Sequence, residues 1–209
     1  MKFYDCSTAP SSRLVRMFIA EKGLDITTVE VDLRNNEHLT AEFKAINPYC
    51  TVPVLETDDG LRFTSTQGCW RYLDDKYPEP ALLGTTAREK ARIADLVWHI
   101  ENDGFLAAAE GLRNKSPGLK DRALTGPVGY AQIPELAERG IARTTRFLAA
   151  LDNMVRDNEF MAGNRFSAAD IIAFVTVDFA GWIKLKLPEE AENARLWYER
   201  VAARPSASL

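Results

Sequence analysis

The amino-acid sequence predicts a mixed α/β domain followed by an all-α domain that forms a helical bundle. Strand and helix patterns alternate in the first part of the chain. No convincing strand pattern appears after the proline- and glycine-containing stretch from Pro78 to Gly84. A length of 209 residues suits one large domain or two small ones. We therefore predict an α/β domain over residues 1–80, a linker over 81–86 and a helical domain over 87–209.

The first domain is predicted to have the element order βαβαββα. β-Branched residues and the turn Asp58-Asp59-Gly60 indicate strands, and the last two strands form a hairpin around that turn. The four strand segments are Lys2 to Asp5, Ile26 to Asp32, Val54 to Glu56 and Leu61 to Thr64. Apolar residues at helical spacing indicate three helices. These run from near Ser11 to Gly23, from Leu39 to Ala45 and from Thr66 to Lys76.

The second domain is predicted to contain helices only. Apolar residues recur at helical spacing in four segments, and a polar crossing with glycine and proline, Lys115 to Tyr130, follows the first of them. The four segments are Ala87 to Arg113, Gln132 to Arg156, Ala168 to Trp182 and Glu189 to Ala203.

The charge balance and the apolar segments exclude two classes of partner. A formal net charge of -4 and a pI of about 5.4 leave no basic surface for a phosphate backbone, so we expect no nucleic-acid binding. The first twenty residues contain several charged side chains, and the most apolar stretch, Ile171 to Val177, lies between Asp170 and Asp178. We therefore expect neither a signal peptide nor a membrane span.

The three cysteines, Cys6, Cys50 and Cys69, form no recognisable disulfide or metal pattern. They are odd in number, include no Cys-x-x-Cys pair and have no zinc-ligand spacing with His38 or His99. We expect reduced thiols in the cytoplasm, no bound metal, and cysteines that serve packing rather than chemistry.

Two segments of the first domain are candidates for holding an extended anionic ligand. Val52-Pro53 stands at the entrance to a strand, where a cis bond would turn the backbone N–H and C=O of Val52 outward toward a peptide ligand. Ser65-Thr66 begins a helix, whose free N–H groups and dipole favour a carboxylate. The alternatives are a proline that merely starts an edge strand and a plain N-cap.

Two further features point to chemistry. The helix that begins near Ser11 presents free N–H groups and hydroxyls just after the first strand, where the helix dipole stabilises a thiolate. His38 lies in a polar run after the second strand and is able to donate a hydrogen bond to an anionic ligand end. A solvated surface histidine is the alternative for His38.

The order of these features resembles the glutathione transferase family. From Met1 to about Pro80 the chain is similar to the thioredoxin-like N-terminal domain of that family, and the likeness continues into the second half. The matching motifs are Glu21-Lys22-Gly23-Leu24, Asn47-Pro48 followed by Val52-Pro53, Ser65-Thr66 before Cys69-Trp70-Arg71-Tyr72-Leu73, and Phe166-Ser167-Ala168-Ala169-Asp170. The last of these resembles the buried capping box of the family, which serves folding.

The resemblance implies that the first domain binds glutathione. In the family, the residue before the proline pairs with the cysteinyl part through its backbone, the start of the third helix holds the γ-glutamyl carboxylate, and a polar side chain holds the glycyl end. Many relatives have Glu or Gln where this chain has Ser65, so one contact is lost or replaced. The implied glutathione-binding residues are His38, Thr51, Val52, Pro53, Ser65 and Thr66.

The position of the activating hydroxyl in serine-type relatives falls nearest Ala9, which has nothing to donate. The chain is in this respect most similar to a bacterial and fungal subgroup that lacks the usual serine, tyrosine or cysteine. In that subgroup, N–H groups at the helix start and a water held by the second domain assist the thiolate. The implied catalytic residues are Ser11, Ser12, Asn114 and Ser116.

The resemblance also implies an activity and an assembly. We expect conjugation of the glutathione thiolate to small hydrophobic electrophiles, with glutathione as co-substrate, no cofactor, and a cytoplasmic homodimer. Two alternatives stay open, a glutathione-dependent peroxidase or thiol transferase, and a non-catalytic ligand carrier or interaction module of the same fold. The expected lining of the second-substrate pocket is Phe105, Leu112, Arg113 and Trp182.

Overall fold

Residues 1–80, 124–129 and Leu209 form one unit of the computed structural model, and residues 81–123 and 130–208 form the other. The structure describes all 209 residues of the chain. The first unit combines a β-sheet with helices, whereas the second is built of helices. The predicted fold class is therefore confirmed.

Four strands form the sheet of the first unit: β1 (Lys2–Asp5), β2 (Thr27–Glu30), β3 (Val54–Glu56) and β4 (Arg62–Phe63). Their order in the sheet is β2-β1-β3-β4. Strand β1 runs parallel to β2 and antiparallel to β3, and β3 runs antiparallel to β4. Tyr4 pairs with Val29 on one side and with Val54 on the other. Strand β1 therefore joins β2 to β3 through backbone pairing, and its residues Phe3, Tyr4 and Asp5 are buried.

Three helices complete the first unit: α1 (Pro10–Glu21), α2 (Ala41–Ile46) and α3 (Thr66–Lys76). The element order is βαβαββα, as predicted. The rings of Phe18 and Trp70 are stacked with 5.6 Å between their centroids, and the Trp70 indole N–H donates to the Leu14 carbonyl oxygen over 3.2 Å. This packing of α3 against α1 fixes the helix start that follows β1.

A buried lysine joins the ends of α1 and α3. The Nζ of Lys22 lies 2.5 Å from a carboxylate oxygen of Asp74 and donates to the carbonyl oxygens of Tyr77 and Pro80 over 2.6 and 2.7 Å. It also lies 5.6 Å from the ring centre of Phe18. An ammonium is tolerated here because a carboxylate and two carbonyl oxygens replace the water that it loses.

The second unit contains five α-helices: α4 (Ala87–Ile100), α5 (Leu106–Lys115), α6 (Pro134–Val155), α7 (Ala168–Ala180) and α8 (Glu192–Ala202). Helix α7 is buried along most of its length, as its continuous apolar run requires. The segment 81–86, which we predict to be a linker, is grouped with this unit. Within it, the carbonyl oxygen of Leu82 accepts the N–H of Ala168 over 3.0 Å.

The capping box at the start of α7 has the geometry that its sequence predicts. The carboxylate of Asp170 accepts the backbone N–H of Ser167 over 2.9 Å. It also accepts the Met161 N–H over 2.8 Å and the Trp197 indole N–H over 2.9 Å. Burial raises the pKa of Asp170, although these donors oppose that shift. The carboxylate therefore ties together three segments of the helical unit.

The segment from Ala87 to Arg113 is not the single α-helix that we predict. A π-helical turn, Glu101–Phe105, separates α4 from α5. The Asn102 carbonyl oxygen in this turn accepts a guanidinium N–H of Arg143, on α6, over 2.6 Å. A π turn inserts one residue into the helical repeat. The spacing of apolar residues is too coarse to reveal one extra residue, so the prediction of a continuous helix is wrong.

Helices α5 and α6 pack backbone against backbone. A Cβ atom built at Gly140 would lie 2.4 Å from the backbone nitrogen of Gly111 and 2.7 Å from the carbonyl oxygen of Ala107. Glu110 forms an ion pair with Arg139 beside this contact. Only glycine fits at position 140 without moving one of the two helices.

Candidate active site

The Val52-Pro53 peptide bond is cis, which is one of the two possibilities that the sequence leaves open. Val52 is buried in an apolar cluster with Tyr4 and Phe43. Its carbonyl oxygen accepts the Ser11 hydroxyl over 3.1 Å, while no hydrogen bond within the chain uses its N–H. A free N–H and a carbonyl with a remaining lone pair, next to the start of β3, are able to pair with an added extended chain.

Helix α1 begins beside this backbone. Pro10 at its first position has no N–H, so Ser11 and Ser12 supply the free donors of the first turn. The Ser11 hydroxyl already donates to Val52. Ser12 is buried, and its hydroxyl oxygen accepts the Cys6 N–H over 3.3 Å. Both hydroxyls therefore form hydrogen bonds to the protein backbone, and the N–H groups of Ser11 and Ser12 remain as donors.

The loop between β1 and α1 is held by charged side chains. The backbone N–H and the hydroxyl of Ser7 donate to the Glu30 carboxylate over 2.9 and 3.0 Å. Arg16 reaches both carboxylate oxygens of Asp5, at 2.7 and 2.6 Å. Ala9 is the N-cap residue of α1 and supplies no side-chain cap. Hydrogen bonds from Ser7 and Arg16 thus hold the two ends of the loop in place. The N-cap position of α1 carries no hydroxyl.

The start of α3 is a second helix end with free donors. The Ser65 hydroxyl oxygen accepts the Gly68 N–H over 3.1 Å and is therefore the N-cap. Its own O–H remains available, since a hydroxyl donates one bond and accepts two. No acidic side chain occupies the first turn, where Thr66 is half-buried. This helix end is suited to a carboxylate.

His38 and Thr51 lie in the two loops that flank α2. His38 is buried, at 5% exposure, in the 3₁₀ turn Glu37–Leu39, so its interpretation as a solvated surface histidine is wrong. The Thr51 hydroxyl oxygen accepts an amide N–H of Asn47 over 3.2 Å and keeps its O–H as a donor. The role of both side chains in ligand binding stays a prediction.

The three cysteines are buried. Burial raises the pKa of Cys69 to about 12, which keeps that thiol protonated. Because the thiolate is the reactive form and needs access, a thiol enclosed in this way is a poor nucleophile. The cysteines fit the packing role that we predict.

The predicted catalytic residues of the second unit lie at the C-terminal end of α5. The buried Asn114 accepts the Ile133 N–H over 3.0 Å through Oδ1 and donates to the Glu110 carbonyl oxygen over 3.0 Å through Nδ2. The carbonyl oxygen of Ser116 accepts an amide N–H of Gln132 over 2.8 Å. Asn114 therefore has a structural task that its sequence context does not reveal.

Two of the predicted pocket residues are joined by an aromatic ring. The ring centroids of Phe105 and Phe179 are 5.3 Å apart, and those of Phe179 and Trp182 are 5.4 Å apart. Trp182 is exposed, whereas Phe179 is buried. Sequence reasoning missed Phe179, because its position in the apolar run of α7 is typical of any core residue.

The other two predicted pocket residues, Leu112 and Arg113, are half-buried near the end of α5. Burial, and to a smaller extent the charge of Arg122, lower the pKa of Arg113. The Arg113 carbonyl oxygen accepts an amide N–H of Gln132 over 2.7 Å, which fixes the backbone of this helix end.

Comparison with known proteins gives the family. Residues 8–76 match the family model "Glutathione S-transferase, N-terminal domain", and residues 121–205 match "Glutathione S-transferase, C-terminal domain". Glutathione S-transferase 2 of Saccharomyces cerevisiae is 32% identical over 211 residues, which cover 99% of this chain and 87% of that protein. The chain belongs to the glutathione S-transferase family.

Solved structures of glutathione S-transferases agree with the chain along its whole length. A glutathione S-transferase domain-containing protein of Marinobacter aquaeolei VT8 is 35% identical, with a TM-score of 0.90 and 99% of each chain covered. Gtt2 of Saccharomyces cerevisiae is 33% identical, with a TM-score of 0.90, and the match covers 100% of this chain and 99% of that one. These relatives identify an enzyme of the glutathione transferase type.

Two observations complete the description of this glutathione transferase. None of its helices combines the length and the apolarity that a membrane crossing needs. Its His, Cys, Asp and Glu side chains include no group of three or more that is placed to hold a metal ion.

Proposed function

We propose that the chain conjugates glutathione to small hydrophobic electrophiles. The observation that carries the proposal is the 3.1 Å hydrogen bond from the Ser11 hydroxyl to the Val52 carbonyl oxygen. This bond joins the start of α1 to the backbone that is free to pair with a peptide. A tripeptide whose cysteinyl part pairs with Val52 then carries its thiol beside the free N–H groups of α1.

The two ends of glutathione are proposed to lie at separate polar groups of the first unit. The Ser65 hydroxyl and the first-turn N–H of Thr66 would hold the γ-glutamyl carboxylate through charge-assisted hydrogen bonds. His38 and Thr51 would hold the glycyl end. Ser65 offers a hydroxyl where many relatives offer a carboxylate or amide, so one contact to the γ-glutamyl group would be lost or replaced.

Activation of the thiol is proposed to depend on backbone groups rather than on a side-chain base. A free thiol has a pKa of about 8.5, and a helix N-terminus lowers such a value by about one unit or more. The N–H groups of Ser11 and Ser12 would stabilise the thiolate after its proton passes to water. Asn114 and Ser116 are proposed to hold a water molecule that assists this step.

The bond-making step is a displacement at carbon. With an aromatic halide, the thiolate sulfur forms a bond to the ring carbon, the carbon–halogen bond breaks, and the halide leaves with the bonding electron pair. Holding the two reactants in a dry pocket supplies much of the acceleration. Phe105, Leu112, Arg113 and Trp182 are proposed to line the second-substrate side. No cofactor is needed, and we propose a cytoplasmic homodimer.

The test begins with retention on immobilised glutathione and continues with conjugation of chlorodinitrobenzene, followed by absorbance. We expect retention, elution by free glutathione and enzymatic turnover. Ser65→Ala is expected to weaken retention, whereas Thr145→Ala, which removes a hydroxyl at an exposed position of α6, is the control. Absence of glutathione binding would refute the enzyme function.

Two other outcomes of the same test correspond to the alternatives. Binding without turnover on any electrophile would favour a ligand carrier, for which the missing hydroxyl at Ala9 is the supporting observation. Reduction of a mixed disulfide or a hydroperoxide would favour a thiol transferase or peroxidase. Burial of Cys6, Cys50 and Cys69 speaks against a redox route through a protein thiol.

A further inference from the structure

Asn47 is a fully buried polar side chain in the loop before the Val52-Pro53 bond, with 0% of its surface exposed. Its Nδ2 donates to the Thr51 carbonyl oxygen over 2.7 Å and to the Thr51 hydroxyl oxygen over 3.2 Å. Its Oδ1 accepts the Tyr49 N–H over 3.0 Å. The backbone carbonyl oxygen of Asn47 accepts the Cys50 N–H over 3.0 Å. Every contact of the amide therefore closes this one loop.

The loop needs an internal anchor because no sheet hydrogen bond holds it. It connects α2 to β3 and lies outside the paired residues of either strand ladder. Within it, Cys50 has a φ of 54°, in the left-handed region that a residue with a side chain rarely adopts. The Tyr49 side chain is 66% exposed and provides little packing. The Asn47 amide thus replaces the sheet hydrogen bonds that the loop lacks.

The anchor controls the direction of the N–H that follows it. The carbonyl of Thr51 and the N–H of Val52 belong to one planar trans peptide unit, in which the two groups point in opposite directions. Fixing the Thr51 oxygen on Asn47, inside the loop, therefore fixes the Val52 N–H on the other side. The next carbonyl, that of Val52, is held independently by Ser11. Two side chains from different elements thus set two consecutive peptide units.

We propose that Asn47 is a positioning residue that orients the Val52 N–H for pairing with the cysteinyl part of glutathione. It acts through the Thr51–Val52 peptide unit and does not touch the ligand. The proposal rests on the proposed glutathione site. Loss of the bond from Asn47 to Thr51 is expected to weaken glutathione binding about tenfold, because a misaligned backbone donor loses most of its bond to the ligand.

The variant Asn47→Asp tests this orientation, because it has the same shape but lacks the two donors. It keeps an oxygen for the Tyr49 N–H, while the new carboxylate is directed at two oxygens of Thr51. We expect about tenfold weaker binding of S-methylglutathione, an inert analogue, by calorimetry at neutral pH. Burial and the two Thr51 oxygens are expected to raise the pKa of the new carboxyl, and its protonation would restore an O–H donor. Affinity relative to that of wild type at the same pH is therefore expected to recover as the pH falls toward about 5, and this comparison removes any effect of the His38 imidazole, which both proteins share.

The matched control is Asp74→Asn, an equally small change in the same unit that breaks the buried ion pair with Lys22. It is expected to lower stability without a pH-dependent change in analogue affinity. Wild-type affinity in Asn47→Asp, an equal loss in both variants, or no recovery at acidic pH would each overturn the positioning role.

A second variant is used if Asn47→Asp does not fold. Asn47→Ser, whose shorter side chain does not span the loop, is expected to bind S-methylglutathione about tenfold more weakly at every pH. Unchanged affinity in that variant would overturn the proposal.

Absence of binding by wild type would instead overturn the glutathione site itself.

Discussion

Both units hold loops and helix starts by side-chain hydrogen bonds to the backbone, and the helical unit adds a direct contact between two helix backbones. In the first unit, polar side chains bond directly to the backbone of loops and helix starts, as Ser11 does to Val52 and Ser65 does to Gly68. In the helical unit, two helix backbones touch at Gly140, and ion pairs lie beside that contact. Removing a side chain that bonds to a loop lowers the free energy of unfolding by about the value of one hydrogen bond. At a helix contact without space for a methyl group, an added methyl group forces the two helices apart.

The largest effect that this difference predicts is in the helical unit. Gly140→Ala places a methyl group against the backbone of Gly111 and Ala107. The methyl group fits only if α5 and α6 move apart. We expect a loss of about 3 kcal/mol in the free energy of unfolding. Chemical denaturation of wild type and variant measures this difference in the free energy of unfolding. Gly181→Ala, where an added Cβ meets no atom within 4 Å, is the control and is expected to change stability little.

A smaller and more selective effect is expected at Ser65. Ser65→Ala removes the N-cap of α3 and is expected to cost about 1 kcal/mol of stability. Ser65→Asp keeps a cap but places a negative charge where the γ-glutamyl carboxylate is proposed to bind. We expect it to be as stable as wild type and to raise the KM for glutathione about tenfold or more. If the KM of Ser65→Asp for glutathione equals that of wild type, the γ-glutamyl carboxylate does not bind at this helix start.

The effect of Ser11→Ala separates positioning from thiol activation. The variant loses one hydrogen bond to the Val52 carbonyl oxygen, so we expect about fivefold weaker glutathione binding. The backbone N–H groups of α1 remain, and the pH dependence of kcat is therefore expected to be unchanged. A rise in the pKa seen in the pH–rate profile would show that the hydroxyl itself stabilises the thiolate.

The smallest effect is expected at the start of α4. Glu89 accepts hydrogen bonds from Thr85 and from the Thr86 N–H, which lower its pKa from its ordinary value of 4.5 to about 2. A lowered acid pKa means that the stabilisation is present above pH 4.5 and is lost as the pH falls toward 2. In urea titrations, the difference between wild type and Glu89→Gln is thus expected to vanish over that range. Glu138→Gln, at an exposed position of α6, is the control for the change of side chain and is expected to alter stability little.

The sequence was sufficient for features that local patterns determine. The order of strands and helices and the cap at Ser65 follow from short motifs with a direct physical cause. The capping box of Asp170 is readable for the same reason. What such motifs predict depends on a few neighbours along the chain, so one sequence is enough.

Features that depend on distant partners were not readable. The π turn is held by Arg143, about forty residues further along the chain, and the burial of Lys22 depends on Asp74. His38 is polar and follows a polar run, yet the fold encloses it. Asn47 is visible in the sequence as part of Asn47-Pro48, but its bonds to Thr51 require the loop geometry. Each of these depends on tertiary packing rather than on local propensity.

The start of α1 is proposed to lower the pKa of a glutathione thiol paired with Val52. Ultraviolet absorbance of the thiolate, titrated in the wild-type complex with glutathione, measures that pKa directly. We expect a value about one unit or more below the 8.5 of a free thiol, and the same value in Ser11→Ala. A bound thiol that titrates like free glutathione would show that the start of α1 does not activate it.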